Sequence, residues 1–103
     1  MKKSTIIKAS TTNGERLHVI VSPEEMNTSL NTIIACPLVK TKRNIPTQIL
    51  IRANIRSGLQ NDCFIAIDQI TTLHKNDILD TVGEISESET ERITMILQEM
   101  FAL

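Results

Sequence analysis

The chain has no tryptophan and no tyrosine, and only two phenylalanines in 103 residues. Without Tyr and Trp the usual base-stacking platforms are missing, which argues against sequence-specific reading of single-stranded nucleic acid. The two cysteines, Cys36 and Cys63, are far apart and sit in apolar, strand-like runs. They read as small buried hydrophobes, not as a disulfide, a metal pair or a nucleophile. No apolar run is long enough to cross a membrane, and Met1 to Lys8 lacks the apolar middle of a signal peptide, so the expected location is the cytoplasm with no membrane partner. Repeats, linkers and low-complexity segments are missing too. What remains is one expected domain over residues 1–103, near the size at which a single core barely suffices and a second copy of the chain would help.

Charge is unevenly spread. The net charge is -1, yet residues 1–60 hold nine of the eleven Lys and Arg, while residues 61–103 hold nine of the twelve Asp and Glu. Such a split fits a positive face for nucleic acid, or simply two differently charged solvated surfaces.

In chain order, Ser4 to Ala9 reads as a strand, Ser10 to Glu15 as a hairpin connection signalled by Asn13-Gly14, and Arg16 to Val21 as a second strand. Alternation puts Leu17, Val19 and Val21 on one face and Arg16, His18 and Ile20 on the other. Ser22-Pro23-Glu24-Glu25 predicts a short helix with Ser22 as its N-cap, followed by a polar turn from Asn27 to Asn31. Thr32 to Cys36 is a central strand whose regular pairing Pro37 should end. Leu38 to Ile45, with Lys40, Lys42 and Arg43, is then a basic loop, and Thr47 to Arg52 the next strand. After a Ser57-Gly58 turn, Asn61 to Leu73 reads as one buried strand in which Asp68 and Gln69 must face opposite ways. Lys75 to Leu79 predicts a helical turn and Val82 to Ile85 a last short strand. The clearest element is the final helix: Ser86-Glu87-Ser88-Glu89 forms a capping box, and Ile93, Ile96, Leu97, Met100 and Phe101 recur on one face. The fold class that follows is a small, mostly antiparallel barrel-like sheet with short helices and a C-terminal α-helix.

Within that order, Gly14-Glu15-Arg16-Leu17-His18-Val19-Ile20-Val21-Ser22-Pro23 resembles the Gly-x-Arg-Pro-x-Val-Val-x-Ser-Pro segment of the MazF/PemK toxins of bacterial toxin–antitoxin systems. Pro37, Pro46, Ile67-Asp68-Gln69-Ile70, Val82-Gly83-Glu84-Ile85 and the capped last helix follow in the family's sequence. The resemblance implies an SH3-like barrel that acts as a homodimer, needs no cofactor or metal, and cleaves single-stranded RNA by turning a ribose 2′-hydroxyl on the adjacent phosphate. It also implies a cognate antitoxin that wraps the toxin with an extended segment.

Arg16 matches the family's catalytic arginine, suited by its permanent charge and forked donors to a phosphate. The family's hydroxyl position falls on Val39, leaving Thr41 or His18 to stand in. His18 shares a strand face with Arg16 and is an imidazole that could serve as base or acid. Lys40, Lys42, Arg43 and Gln69 are the expected RNA-binding residues, with Gln69 on the side of Arg16 and Asp68 anchoring the strand or the dimer. Each has a plainer reading as solvated surface. Met100, Phe101 and Leu103, beyond the helix's core stripe, are the partner-binding candidates. The hairpin, the Cys36-Pro37-Leu38 turn and the helix end are also similar to the CcdB toxins, whose target is DNA gyrase, so a gyrase inhibitor without catalysis is the alternative, beside a toxin homologue that no longer cuts.

Overall fold

The computed structural model describes residues 1–102. The expected hairpin opens it: β1 (Thr5–Thr11) and β2 (Gly14–Ile20) pair antiparallel with Thr11 opposite Gly14, so only Thr12 and Asn13 make the connection. Gly14 takes φ +93°, a conformation that L side chains resist. The Thr11 hydroxyl donates to the Gly14 carbonyl at 2.7 Å and accepts from the Asn13 amide at 3.2 Å. A turn this short fixes the register, and register decides which face each side chain of β2 serves.

Both faces of β2 are covered. Val19 enters a large core with Ile6, Cys36, Ile65 and Ile93, whereas Ile20 enters a smaller one with Ile7, Ala9, Ile33, Ala35 and Leu73. A two-residue alternation thus feeds two cores from one strand, each buried isoleucine contributing about 1.5–3 kcal/mol of transfer free energy.

After β2, α1 (Glu24–Ser29) differs from the expected helix start. Pro23, not Ser22, occupies the N-cap position, and it makes no side-chain cap bond. Ser22 instead donates to Oδ1 of Asn27 and accepts from the Ile34 amide at 3.0 Å. Asn27, expected in a polar turn, lies within α1 and is fully buried, its Nδ2 donating to the carbonyls of Met1 and Ser22 at 2.9 and 3.0 Å. A buried carboxamide is tolerated because all its polar atoms are satisfied.

β3 (Thr32–Val39) runs straight through Pro37, contrary to the expectation that proline ends it. Its first half pairs with β6 (Thr71–His74) and its last two residues with β5 (Cys63–Ala66). Pro37 lies between those two partners while facing His18 of β2. The missing N–H costs little where one neighbouring strand hands over to the next.

β4 (Gln48–Ile51) pairs with β5, and β7 (Ile78–Glu84) with β1. The hydrogen-bonded order is β4-β5-β3-β2-β1-β7, with β6 alongside β3. The expected antiparallel fold is present, but its sheet is open: β6 and β7, consecutive in the chain, form no ladder with each other. The run from Asn61 to Leu73 is not one strand. It breaks at a 3-10 turn over Ile67–Gln69 that separates β5 from β6. A second such turn, Lys75–Asp77, precedes β7, which is longer than the expected Val82–Ile85.

Where the 52–62 loop crosses β7, Gly58 and Gly83 let backbones touch. A Cβ on Gly83 would lie 2.3 Å from the Ser57 carbonyl oxygen, and one on Gly58 2.3 Å from that of Val82. α2 (Glu87–Met100) closes the large core with Ile93 buried and Ile96, Leu97 and Met100 packed against it. Its capping box is complete, and Glu89 does more: Oε1 accepts from the Ser86 amide at 2.8 Å and Oε2 from the Arg52 amide at 3.0 Å, stapling the helix start to the end of β4.

Candidate active site

One groove of about 1230 Å³ runs across the open side of the sheet. Its walls are the hairpin tip Ser10 to Asn13 with the adjoining Glu15, Arg16, Leu17 and His18 of β2, Pro37 to Lys40 at the end of β3, Cys63, Gln69, Thr71 to His74 of β6 and Asp77. The hairpin register brings Arg16 here, opposite Ala9, with its guanidinium exposed and in no ion pair among the described residues.

His18 is only 3% exposed. Its Nδ1 lies 3.2 Å from the Arg16 carbonyl oxygen. A carbonyl only accepts, so Nδ1 carries the hydrogen and the neutral ring keeps a lone pair on Nε2. Burial lowers its pKa from the ordinary 6.5, and the bond to Arg16 opposes that shift in part. The groove wall thus carries a proton acceptor and a fixed positive charge two residues apart on β2.

Gln69 lines this groove, while Asp68, next to it on the 3-10 turn, faces Arg43, whose Nη2 lies 3.3 Å from both carboxylate oxygens. The two side chains diverge because of the turn and not by strand alternation. The ion pair is 43% and 34% exposed on its two sides, so it contributes about 1 kcal/mol or less.

The remaining expected residues separate. Lys40 lines the groove, whereas Thr41, Lys42 and Arg43 lie off it, the Thr41 carbonyl being turned to Nε2 of Gln48 at 3.0 Å. Val39, where the resemblance implies a hydroxyl, does line it. Met100 packs at the core edge, Phe101 is 64% exposed beyond the helix, and Leu103 lies outside the described residues.

Both cysteines are free and buried. Burial, helped by the Asp68 carboxylate, pushes the Cys36 thiol up to about 12. Burial also raises Cys63, against the pull of the Lys40 ammonium. Neither is a thiolate nucleophile at neutral pH. Among the described residues no three His, Cys, Asp or Glu side chains cluster as metal ligands.

Sequence reasoning missed the wall of the groove that β6 supplies. His74 pairs with Thr32 and His18 with Pro37 along the same β3, a run of roughly 16 Å at about 3.3 Å per residue. The two histidines therefore lie well apart in the groove. The available signals were the Ser10-Thr11-Thr12-Asn13 tip and the Thr71-Thr72 pair, polar residues flanking strands without an apolar reason to be there.

A comparison with curated proteins finds no match. Solved structures do match: an endoribonuclease from mycobacterial species in complex with its cognate antitoxin (TM-score 0.87, 23% identity, covering 100% of this chain and 96% of that one) and the Mycobacterium tuberculosis toxin MazF-mt6 (0.85, 20%, 96% and 97%). MazE-MazF from Deinococcus radiodurans, in one crystal form, matches at TM-score 0.85 and 14% identity over 100% and 97% of the two chains. At these identities the likeness establishes the fold. The family profile that matches is not that of the gyrase-inhibiting alternative, which is thereby set aside. It spans residues 5–101, taking in every strand and both helices, and the chain belongs to the PemK-like, MazF-like toxins of type II toxin–antitoxin systems.

Proposed function

We propose that this toxin is an endoribonuclease that cuts single-stranded RNA. The observation that carries the reading is the pairing in one groove of an exposed, unpaired Arg16 with a neutral His18 whose Nδ1 is already committed. His18 Nε2 takes the proton of a ribose 2′-hydroxyl presented at the ring's groove-facing edge. The 2′-oxygen attacks the adjacent phosphorus as the bond to the 5′-oxygen breaks, and that oxygen takes a proton from solvent. Products are a 2′,3′-cyclic phosphate and a 5′-hydroxyl end. Arg16 stabilises the charge that builds on the phosphoryl oxygens, Lys40 holds a neighbouring phosphate, and the Gln69 carboxamide offers donors and an acceptor to a base edge. In this reading the groove's own side chains supply base and charge, without cofactor or metal. The protein works in the cytoplasm as a homodimer, held inactive by a cognate antitoxin segment that the exposed helix end at Phe101 helps to seat. The solved mycobacterial endoribonuclease, in complex with its cognate antitoxin, supports the antitoxin partner.

The test is cleavage of a single-stranded RNA in excess EDTA. The wild type is expected to cut, and Arg16→Ala to cut about 10²–10³-fold more slowly, the usual loss of one charge-stabilising donor. Because Arg16 is exposed, the variant should melt with the wild type. Intact RNA with wild-type protein would sink the reading. Val39 at the hydroxyl position favours a second one, a toxin that grips RNA without cutting, and binding without cleavage would establish it.

A further inference from the structure

The stretch between Val39 and Gln48 leaves the sheet, carries three cations, and has few backbone bonds of its own: the Ile45 amide to the Arg43 carbonyl at 2.9 Å, and the Gln48 amide to Ile45 at 3.4 Å. A loop so sparsely bonded has no intrinsic reason to hold one shape, and each residue it fixes costs conformational entropy. Yet both ends of one carboxamide grip it. Gln48 Oε1 accepts from the Arg43 amide at 2.6 Å, and Nε2 donates to the Thr41 carbonyl at 3.0 Å. The grip starts from a fixed base, since Gln48 is the first residue of β4, in register with Ala66 of β5. Asp68 adds a third tether by holding the Arg43 guanidinium away from the groove. Of the three cations of this segment only Lys40, one residue before the gripped turn, lines the groove.

We infer that Gln48 is a positioning residue of the RNA groove: its carboxamide fixes the 41–43 turn and so aims Lys40 at a phosphate of the bound strand. The inference rests on the endoribonuclease reading above and adds to it a residue that touches neither RNA nor Arg16. Gln48 acts on affinity, through the one loop cation in the groove, and not on the chemical step at Arg16 and His18.

The test uses the full chain with Gln48→Ala, Gln48→Glu and Lys40→Ala, a cleavable RNA oligonucleotide, and the same oligonucleotide with 2′-O-methyl groups throughout, which binds but cannot react. Gln48→Ala is expected to raise KM and the Kd of the methylated strand about tenfold at low salt with kcat within twofold. It should also flatten the slope of log affinity against log salt by roughly 0.7, the share of one phosphate on a single strand. Gln48→Glu keeps the acceptor for the Arg43 amide but loses the donor to Thr41, so it should fall between. In a Lys40→Ala background, Gln48→Ala should add nothing, which a general loosening of the fold would not produce. Amide exchange at Arg43 should quicken in Gln48→Ala. A Gln48→Ala protein with wild-type Kd and salt slope, or one that loses kcat at unchanged KM, overturns the inference while leaving the endoribonuclease reading intact. A wild type that neither binds nor cuts RNA sinks the reading and the inference together.

Discussion

The closing helix and the groove are opposite kinds of construction. α2 is one continuous segment whose cap and stripe come from residues within a few turns of one another, Ser86, Glu89, Ile93, Ile96 and Leu97. The groove takes its walls from the hairpin tip, β2, the end of β3, a 3-10 turn and β6, and none of those segments makes it alone. The helix side is apolar and close-packed; the groove side is open, mixes polar side chains with Leu17, Pro37, Leu38, Val39 and Leu73, and holds Arg16 without a carboxylate partner among the described residues. Stability is therefore concentrated where function is not, and substitutions should separate the two.

The sharpest separation is expected from Ile93→Ala. Ile93 is fully within the large core between helix and sheet, and truncating a buried isoleucine to alanine costs about 2–5 kcal/mol from lost transfer energy and the cavity left behind. Chemical denaturation should show that loss, while RNA cleavage per folded molecule stays at the wild-type value, because Ile93 is not among the groove's lining. A cleavage defect larger than the unfolded fraction explains would break the comparison and couple helix packing to the groove.

Glu89→Ala should come next, at about 1–2 kcal/mol. One carboxylate caps the helix and accepts the Arg52 amide, so its removal leaves donors at two elements without a partner. Glu89→Gln can keep an acceptor for one of them and should recover part of the loss. If Glu89→Ala melts with the wild type, the staple between α2 and β4 contributes nothing and the helix is held by its apolar stripe alone.

The same contrast explains how much was legible in the sequence. The start of α2 and its stripe from Ile93 to Met100 were readable because a capping box and a 3.6-residue period are local signals, whereas Phe101, expected on the same stripe, lies past the helix and is exposed. Arg16 and His18 could be placed together because Asn13-Gly14 signalled the hairpin and strand alternation did the rest. The run from Asn61 to Leu73 misled, since an apolar, β-branched stretch looks alike whether it is one strand or two joined by a 3-10 turn. Pro37 misled because its cost depends on whether a neighbouring strand needs its N–H, which only the handover from β6 to β5 decides. Asn27 was invisible as a buried residue: its three partners come from Met1 and Ser22, outside its own helix. The β6 wall of the groove, with His74, and the grip of Gln48 on the basic loop both arise from segments brought together only by the tertiary fold.

His18 sits on the boundary between the two kinds of construction, buried like the core yet lining the groove, and its titration gives the smallest expected effect. Burial holds its folded-state pKa below the ordinary 6.5. Between 6.5 and that lowered value the unfolded chain binds the proton more readily than the folded one, so stability should fall as pH drops through this window and be unaffected by His18 above it. His18→Gln keeps a donor for the Arg16 carbonyl but has no proton to gain. The difference in Tm between wild type and variant should thus narrow or reverse in the variant's favour on going from pH 7.5 to about pH 5. The same shift sets the sign for catalysis: a base that stays neutral below pH 6.5 should keep cleavage on its plateau there, with the acid limb of kcat/KM displaced to lower pH than an ordinary histidine gives. An acid limb centred at or above 6.5, together with a pH-independent Tm difference, would remove His18 from the chemistry and leave it as part of the core that holds Arg16 in place.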